Sequence, residues 1–261
     1  MVIEARNLVL GYDGVPVIDG MDLSIRDGEL VTIVGANGCG KSTLLRAMSR
    51  NLRPLAGTLL LDGRPLRGIS TREVSRRVAF LSQSPSVPPG FTVRELVEQG
   101  RYPYASWTGA LTRRDRDVVD EALAAAALRG MQDRTMATLS GGERQRAWIA
   151  MALAQEAPVL LFDEPTTFLD VHHQLQVMDL VRCMNRERGR TIVMVLHDLN
   201  HAARFSRRIV ALREGRVYAD GSPEAVLTPA MLRDVFKIEA TVLRDERQGC
   251  PYYLPIGSAE A

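Results

Sequence analysis

The sequence predicts an α/β fold with a mostly parallel sheet, an antiparallel N-terminal β subdomain and a helical insert. Short apolar runs typical of buried strands alternate with helical segments, and the order strand, helix, strand favours parallel pairing. After the breaker SPSVPPG at residues 84–90, the pattern becomes mostly helical until about residue 157. We therefore expect a single domain over residues 1–261, with an α/β core at 1–83 and 158–261 and a helical subdomain at 84–157.

The strands of this core are predicted in the first third of the chain and again after the insert. Apolar and β-branched runs bounded by Gly-rich turns indicate them. Their predicted bounds are 2–10, 21–25, 30–34, 57–61, 78–81, 159–162 and 191–196. From residue 209 the tail predicts two short strands joined at residues 213–215, then short helices and a last strand.

Helices are predicted wherever apolar residues recur with helical spacing. Their predicted bounds are 41–50, 92–99, 113–128, 141–155 and 169–188. The tract EALAAAAL at residues 121–128 is rich in the strongest helix formers. The helices between residues 84 and 157 define the predicted insert.

Composition excludes several classes of protein. The 33 basic residues barely exceed the 31 acidic ones, giving a net charge of +2, whereas a dedicated nucleic-acid binder usually carries a clear basic excess. We therefore expect no nucleic-acid partner. The three cysteines show no paired spacing for disulfides or zinc, which fits a reducing cytoplasm. No apolar run approaches the ~18 residues of a membrane span, and Glu4 interrupts the start of the chain, which does not read as a signal peptide.

A phosphate-binding loop is predicted at residues 35–43, GANGCGKST, which match the pattern G-x-x-x-x-G-K-[ST] between a strand and a helix. Glycines let backbone N–H groups turn towards an anion, and the helix N-terminus adds partial positive charge. Lys41 is expected to reach the β- and γ-phosphates, Ser42 to ligate Mg²⁺, and Thr43 to lie near the α-phosphate. The alternative is an ordinary Gly-rich turn. The predicted nucleotide-binding residues of this loop are Gly35, Ala36, Asn37, Gly38, Cys39, Gly40, Lys41, Ser42 and Thr43.

A second half of this site is predicted where the apolar strand VLLFDE ends in two carboxylates. Carboxylates at the end of a buried strand are costly unless they bind something. Asp163 is placed to hold Mg²⁺ through its water shell, and Glu164 to orient or deprotonate the attacking water. The alternative is a helix cap before Pro165.

Residues 139–146, LSGGERQR, resemble the signature motif LSGGQRQR of ABC transporter ATPases, with Glu143 at its first Gln. A P-loop, this motif and an apolar strand ending in Asp-Glu together identify the chain as similar to the ATP-binding subunits of that family, from residue 2 to about 242. The resemblance implies a P-loop NTPase core in the ABC ATPase fold. It also implies ATP hydrolysis with Mg²⁺ and a dimer of two identical subunits.

The same resemblance assigns further site residues. It implies that Tyr12 stacks on adenine, that Gln83 contacts Mg²⁺ or the water, and that His197 contacts the γ-phosphate. The segment Ser140, Gly141 and Gly142 would close over the nucleotide of the opposing subunit, and Asp170 would communicate across the dimer. The implied catalytic residues are Glu164, His197, Lys41 and Gln83, and the implied metal set is Ser42, Gln83 and Asp163. The remaining histidines, His172, His173 and His201, are expected at the surface.

Four stretches narrow the resemblance to importers of ferric siderophores, haem and cobalamin, and most closely to the ferric-siderophore branch. They are EQGRYPY, AWIAMALAQ, DEPTTFLD and VLHDLN, beginning at residues 98, 147, 163 and 195. The implied partners are two transmembrane permease subunits and, indirectly, an extracytoplasmic substrate-binding protein, with the chain peripheral on the cytoplasmic face of the inner membrane.

Alternatives remain open, because an ATPase subunit does not touch the cargo and analogy is a weak warrant for it. They are a haem or cobalamin importer, an exporter ATPase, a soluble ABC ATPase acting on nucleic acid or ribosomes, and a regulatory module that does not hydrolyse ATP. Cys39 inside the P-loop also predicts sensitivity to thiol reagents, with protection by ATP.

Overall fold

The computed structural model describes residues 1–106 and 110–259. It divides into two compact units, Met1–Ile69 with Thr191–Ala261, and Ser70–Arg190. The strands are β1 (Ile3–Tyr12), β2 (Val15–Ile25), β3 (Leu30–Gly35), β4 (Ala56–Leu61), β5 (Arg64–Pro65), β6 (Val78–Leu81), β7 (Val159–Asp163), β8 (Thr191–Val195), β9 (Arg208–Arg213), β10 (Arg216–Gly221), β11 (Ile238–Asp245) and β12 (Cys250–Ser258). The α-helices are α1 (Lys41–Met48), α2 (Thr71–Arg77), α3 (Val93–Gln99), α4 (Arg113–Ala125), α5 (Gly141–Ala154), α6 (Val171–Arg188), α7 (Leu199–Phe205), α8 (Pro223–Val226) and α9 (Pro229–Phe236).

The first unit contains an antiparallel sheet in the order β2-β1-β4-β5 and a set of strands in which β3 pairs in parallel with β8 and β9. Every residue of β3 and β8 is buried, as expected of continuous apolar runs. Ile33 pairs with Val195, so the segments that follow β3 and β8 leave the same edge of the sheet.

The second unit contains the parallel pair β6 and β7, in which Leu81 lies opposite Phe162. All five residues of β7 are buried. Helices α3, α4 and α5 pack on one another. The predicted α/β fold with mostly parallel pairing and an antiparallel N-terminal sheet is confirmed. Residues 84–157 lie within this unit, and their standing as a separate subdomain stays a prediction.

Several elements differ from the expectation: β2 begins at residue 15 rather than 21, and β5 and α7 were not predicted. Helix α2 was not predicted, because only Val74 of its seven residues is buried and its amphipathic signal is weak. The single last strand is wrong: the tail ends in an antiparallel hairpin, β11 with β12, in which Leu243 lies opposite Tyr252. Helix α6 begins at residue 171 rather than 169, because the Asp170 side chain caps it by accepting from the His173 backbone N–H.

Arg101 is a buried cation that ties three segments of the second unit together. Its Nε donates to Asp115 at 2.9 Å, and its Nη1 donates to the Ala154 carbonyl at 2.6 Å and to Glu156 at 2.8 Å. The guanidinium lies 4.2 Å from the centre of the Tyr104 ring. Hydrogen bonds, first from the Thr112 hydroxyl and then from the Thr112 backbone and Arg101, hold the pKa of Asp115 below its usual value. This pairing compensates the cost of burying the charge.

Its neighbour Gly100 packs equally tightly, since a Cβ there would lie 2.3 Å from the Met151 carbonyl oxygen. Packing inside the unit therefore explains Gly100 and Arg101 of the stretch EQGRYPY. In contrast, Tyr102 of the same stretch is exposed.

We expect Arg101→Met to lower the free energy of unfolding by about 3–5 kcal/mol, because it leaves Asp115 buried without its cation. Urea denaturation followed by circular dichroism measures this. Arg129 is exposed on the surface of the same unit, so Arg129→Met is the matched control and should stay within about 0.5 kcal/mol of wild type. Equal stability of the two variants would contradict a structural role for the Arg101 contacts.

Candidate functional site

The loop between β3 and α1 has a backbone that only glycine permits at its first position. Gly35 has a φ of 152°, and a Cβ there would lie 2.5 Å from the Leu212 carbonyl oxygen. Gly40, at the start of α1, has a φ of 103°. The predicted curled loop at a strand–helix junction is therefore present in the first unit.

Helix α1 differs from every other α-helix in the described residues. The other eight begin at a Ser, Thr or Asp whose side chain accepts a backbone N–H of the first turn. The N-cap of α1 is Gly40, which offers no side-chain acceptor. Since the first N–H groups of a helix need acceptors and carry partial positive charge, this end is suited to a bound anion.

The Lys41 ammonium group is held over the same loop. Its residue is only 6% exposed, and Nζ donates to the Gly35 carbonyl at 2.8 Å and to the Ala36 carbonyl at 2.9 Å. These carbonyls keep the charge above the loop rather than in solvent. Phosphate oxygens could replace them as stronger, charged acceptors.

Two more predicted residues lie in the first unit. Tyr12 ends β1, and its exposed ring approaches α1 through a hydroxyl 3.5 Å from both Thr43 Oγ1 and Arg46 Nη1. His197 is exposed and follows β8, next to β3 in the sheet. Tyr12 therefore lies beside the start of α1, and His197 follows β8 at the edge of the sheet where the loop follows β3. Arg46 was not identified from the sequence.

The second unit contains the predicted carboxylates. Asp163 is the last residue of β7 and is buried; Glu164 follows it, 8% exposed and with a φ of 54°. Glu164 Oε2 accepts from Gln83 Nε2 at 2.5 Å and from Thr167 Oγ1 at 3.0 Å. Because β6 and β7 are parallel neighbours, Gln83 reaches Glu164 from the end of the adjacent strand. Thr167 was missed by the sequence analysis.

The segment Ser140–Gly142 forms the start of α5. Ser140 and Glu143 make a capping box, in which Oγ of Ser140 accepts from the Glu143 N–H and a Glu143 oxygen accepts from the Ser140 N–H at 2.8 Å. That backbone hydrogen bond is the main cause of the lowered pKa of Glu143. The acid found at this position therefore caps the helix.

Two histidines differ from the surface positions expected of them. The His201 side chain is only 13% exposed. His173 is 28% exposed, and its ring contacts Asp170, the exposed N-cap of α6. The spacing of Asp170 and His173, an N-cap and the third residue after it, is the sequence signal that could have indicated this contact.

Cys39 also differs from the expectation of ready thiol modification. It is buried, and burial raises the pKa of its thiol although Lys41 opposes the shift. A hydrogen bond with Glu187 raises the pKa of the Cys183 thiol as well, so exposure decides the order. We expect iodoacetamide to label exposed Cys183 well before buried Cys39 in the native protein. Peptide mass spectrometry after timed labelling measures the order. In urea the rates should converge, and rapid native labelling of Cys39 would contradict its burial.

Known proteins resemble this chain over nearly all of its length. A family model described as ABC transporter matches residues 18–167. A probable siderophore transport system ATP-binding protein of Bacillus subtilis is 47% identical over 98% of this chain and 93% of its own. An iron(3+)-hydroxamate import ATP-binding protein of the same organism is 44% identical over 97% and 94%. A cobalamin import ATP-binding protein of Halobacterium salinarum is 43% identical over 98% and 64%.

Solved structures share the fold. A metal-chelate type ABC transporter in an inward-facing conformation matches with a TM-score of 0.85 over 98% of this chain and 97% of its own, at 24% identity. A dimeric ATP-binding cassette in a post-hydrolysis state, bound to ADP and Pi, matches with a TM-score of 0.74 over 84% and 98%, at 31% identity. The first match supports the fold alone. The second, which is bound to nucleotide, is similar in sequence as well as in fold.

Proposed function

The chain belongs to the ABC transporter family, and we propose that it is the ATP-hydrolysing subunit of a membrane importer of iron(III)-siderophore complexes. The observation that carries the cargo is its similarity, over nearly the whole chain, to two proteins named for siderophore and iron(3+)-hydroxamate transport. ATP hydrolysis is supported by the N-terminus of α1, which has no side-chain cap, and by Lys41, whose Nζ donates to the Gly35 carbonyl of the same loop.

We propose a role for each predicted residue, supported where possible by its local contacts. Lys41 exchanges its carbonyl partners for β- and γ-phosphate oxygens and stabilises the charge that develops on them. Tyr12 offers its exposed ring to adenine. Glu164, held by Gln83 and Thr167, orients the attacking water and accepts its proton. His197 donates to the γ-phosphate.

We propose Ser42, Gln83 and Asp163 as Mg²⁺ ligands, because hydroxyl, amide and carboxylate oxygens are the donors that this ion prefers. Within the described residues, no three His, Cys, Asp or Glu side chains cluster as a metal site of their own. Nucleotide oxygens and water would supply the other ligands. When bound, the ion would neutralise phosphate charge during transfer.

The proposed assembly is a homodimer on two permease subunits at the cytoplasmic face of the membrane, supplied by a substrate-binding protein outside. Ser140, Gly141, Gly142 and Asp170 would meet the nucleotide of the other copy. Within residues 1–106 and 110–259, no helix combines the length and the apolar character of a membrane span. A cobalamin cargo is the second candidate, favoured by the similarity to a cobalamin import protein.

Uptake of radiolabelled iron tests this proposal in a strain that lacks the chain. The strain is complemented with wild type, Lys41→Ala or Lys237→Ala, which alter the only two lysines of the sequence. Ferric hydroxamates, other ferric siderophores, haem and labelled cobalamin are supplied separately. We expect loss of ferric-siderophore uptake, restored by wild type and Lys237→Ala and not by Lys41→Ala.

Three results would change the proposal. Loss of cobalamin uptake alone would transfer the function to the second candidate. Loss of haem uptake alone would identify a haem importer. Unchanged uptake of every cargo would reject an importer role while leaving ATP binding to be measured on the purified chain.

A further inference from the structure

The ring of His173 contacts the carboxylate of Asp170 through one nitrogen. Nδ1 lies 2.9 Å from Oδ1 and 2.8 Å from Oδ2, and the His173 backbone N–H also donates to Oδ1 at 2.9 Å. Asp170 itself is 66% exposed, whereas the histidine side chain is 28% exposed. His173 therefore contacts the largely exposed carboxylate of Asp170 with both its backbone N–H and its ring.

The direction of this contact follows from the chemistry of the pair. Hydrogen bonds from the His173 backbone, and then from its ring, lower the pKa of Asp170. The carboxylate is therefore ionised at neutral pH and can only accept. Nδ1 must carry a proton and donate it, which fixes the orientation of the imidazole plane.

The opposite edge of the same ring lies against Gly142 in the first turn of α5. A Cβ at Gly142 would lie 2.0 Å from Cδ2 and 2.4 Å from Cγ of His173. No side chain fits there while the ring stays on Asp170. The glycine thus brings the α5 backbone against the imidazole, and Asp170, His173 and Gly142 form one continuous contact.

The loop that ends at Asp170 needs external support. Two of its non-glycine residues have positive φ, Glu164 at 54° and Phe168 at 64°, a conformation that persists only when its surroundings impose it. Next to His173, Gln174 Nε2 donates to the Leu169 carbonyl at 3.0 Å. The first turn of α6 therefore holds the loop by its backbone and by its terminal carboxylate.

We propose that His173 is a positioning residue that couples the loop at residues 164–170 to the Ser140–Gly142 segment. The two segments would then move together when ATP is hydrolysed. This inference rests on the proposed function and names a residue beyond those assigned to it. His173 touches no reacting atom in this role. It acts by fixing the distance between the loop that begins at Glu164 and the start of α5.

Two substitutions separate the parts of the contact. His173→Phe keeps a ring against Gly142 and removes the donor to Asp170. His173→Asn keeps a donor close to the position of Nδ1 and removes the rest of the ring. His172→Phe is the matched control, because His172 is the adjacent exposed histidine, its Nε2 lies 2.9 Å from Gln176 Nε2, and Phe can keep the edge-on ring contact that His172 makes with His173.

Each purified variant is measured for kcat and KM of ATP hydrolysis, and for hydrogen–deuterium exchange of the peptide covering residues 164–171. We expect His173→Phe to lower kcat roughly 10- to 100-fold, the range for a displaced active-site group. Its KM should change by less than about threefold, because the proposal assigns ATP binding mainly to Tyr12 and the P-loop. The peptide should exchange faster. His173→Asn should recover protection of the peptide to within about threefold but not kcat, because it restores the donor to Asp170 without the ring against Gly142. His172→Phe should match wild type.

The inference is overturned if His173→Phe behaves as wild type in both measurements. It is also overturned if His173→Asn exchanges as fast as His173→Phe, since the donor to Asp170 would then not hold the loop, or if His173→Asn recovers kcat fully, since the contact with Gly142 would then be dispensable. Should wild type itself hydrolyse no ATP, the proposed function fails separately. The exchange of residues 164–171 in the variants then still decides whether His173 holds the loop.

Discussion

Replacing Lys41 with alanine is expected to reduce ATP turnover by about 100- to 1,000-fold, the range for removing one preorganised charge from a transition state. The Nζ atom is the only lysine ammonium in the P-loop, and it is held above the loop by the Gly35 and Ala36 carbonyls. Without it, charge spreading over the transferred phosphoryl group loses a fixed cation. Phosphate release by the purified chain measures turnover, and a fluorescent ATP analogue measures binding.

The control for this variant is Lys237→Ala. Lys237 is the only other lysine and follows α9 in the same unit. Its loss removes the same charge and the same side chain without touching the loop. Turnover close to wild type is expected, and an equal loss in both variants would refute a specific role for Lys41.

Replacing Glu164 with glutamine is expected to stop turnover while ATP binding survives. The amide has nearly the shape of the carboxylate, so the contacts with Gln83 and Thr167 can largely persist. It cannot accept the proton of the attacking water, and losses of about 100- to 10,000-fold follow removal of a general base. Single-turnover phosphate release and equilibrium ATP binding separate the two effects.

Glu121→Gln provides the matched control for that experiment. Glu121 is exposed on α4, so the same chemical change there should leave turnover within about twofold of wild type. If Glu164→Gln retained wild-type turnover, the base would have to be another group. If it lost ATP binding as well, the carboxylate would instead be required to assemble the nucleotide site.

The local parts of the fold were predictable because their signals lie in adjacent residues. β6 has the predicted bounds, Val78–Leu81, and β3 was recognised from a continuous apolar run. Helix α2 escaped because it buries little apolar surface, and its Ser70 cap was the better signal. The terminal hairpin escaped because the pattern after α9 indicated only one strand. The pairing of residues such as Leu243 and Tyr252 depends on contacts between separate segments, which local sequence signals do not show.

In the candidate site too, contiguous motifs were predictable and contacts between distant residues were not. The P-loop is a contiguous motif, so its residues could be named from spacing alone. The contact between Gln83 and Glu164 joins residues 81 positions apart, and only a resemblance brought the two together. His173 was missed because a lone histidine is expected at the surface. Its proposed role depends on contact with Gly142, which is close to it in the fold but not in the sequence.

The missing side-chain cap of α1 also links nucleotide binding to folding. If phosphate oxygens supply the acceptors that Gly40 does not, part of the binding free energy is free energy of folding for the unit that contains α1. By mass action, ATP at 100 times its dissociation constant would stabilise the chain by about 2.7 kcal/mol. Nucleotide supply would then regulate the lifetime of the subunit as well as its turnover, and an energy-starved cell would hold a pool more open to proteolysis.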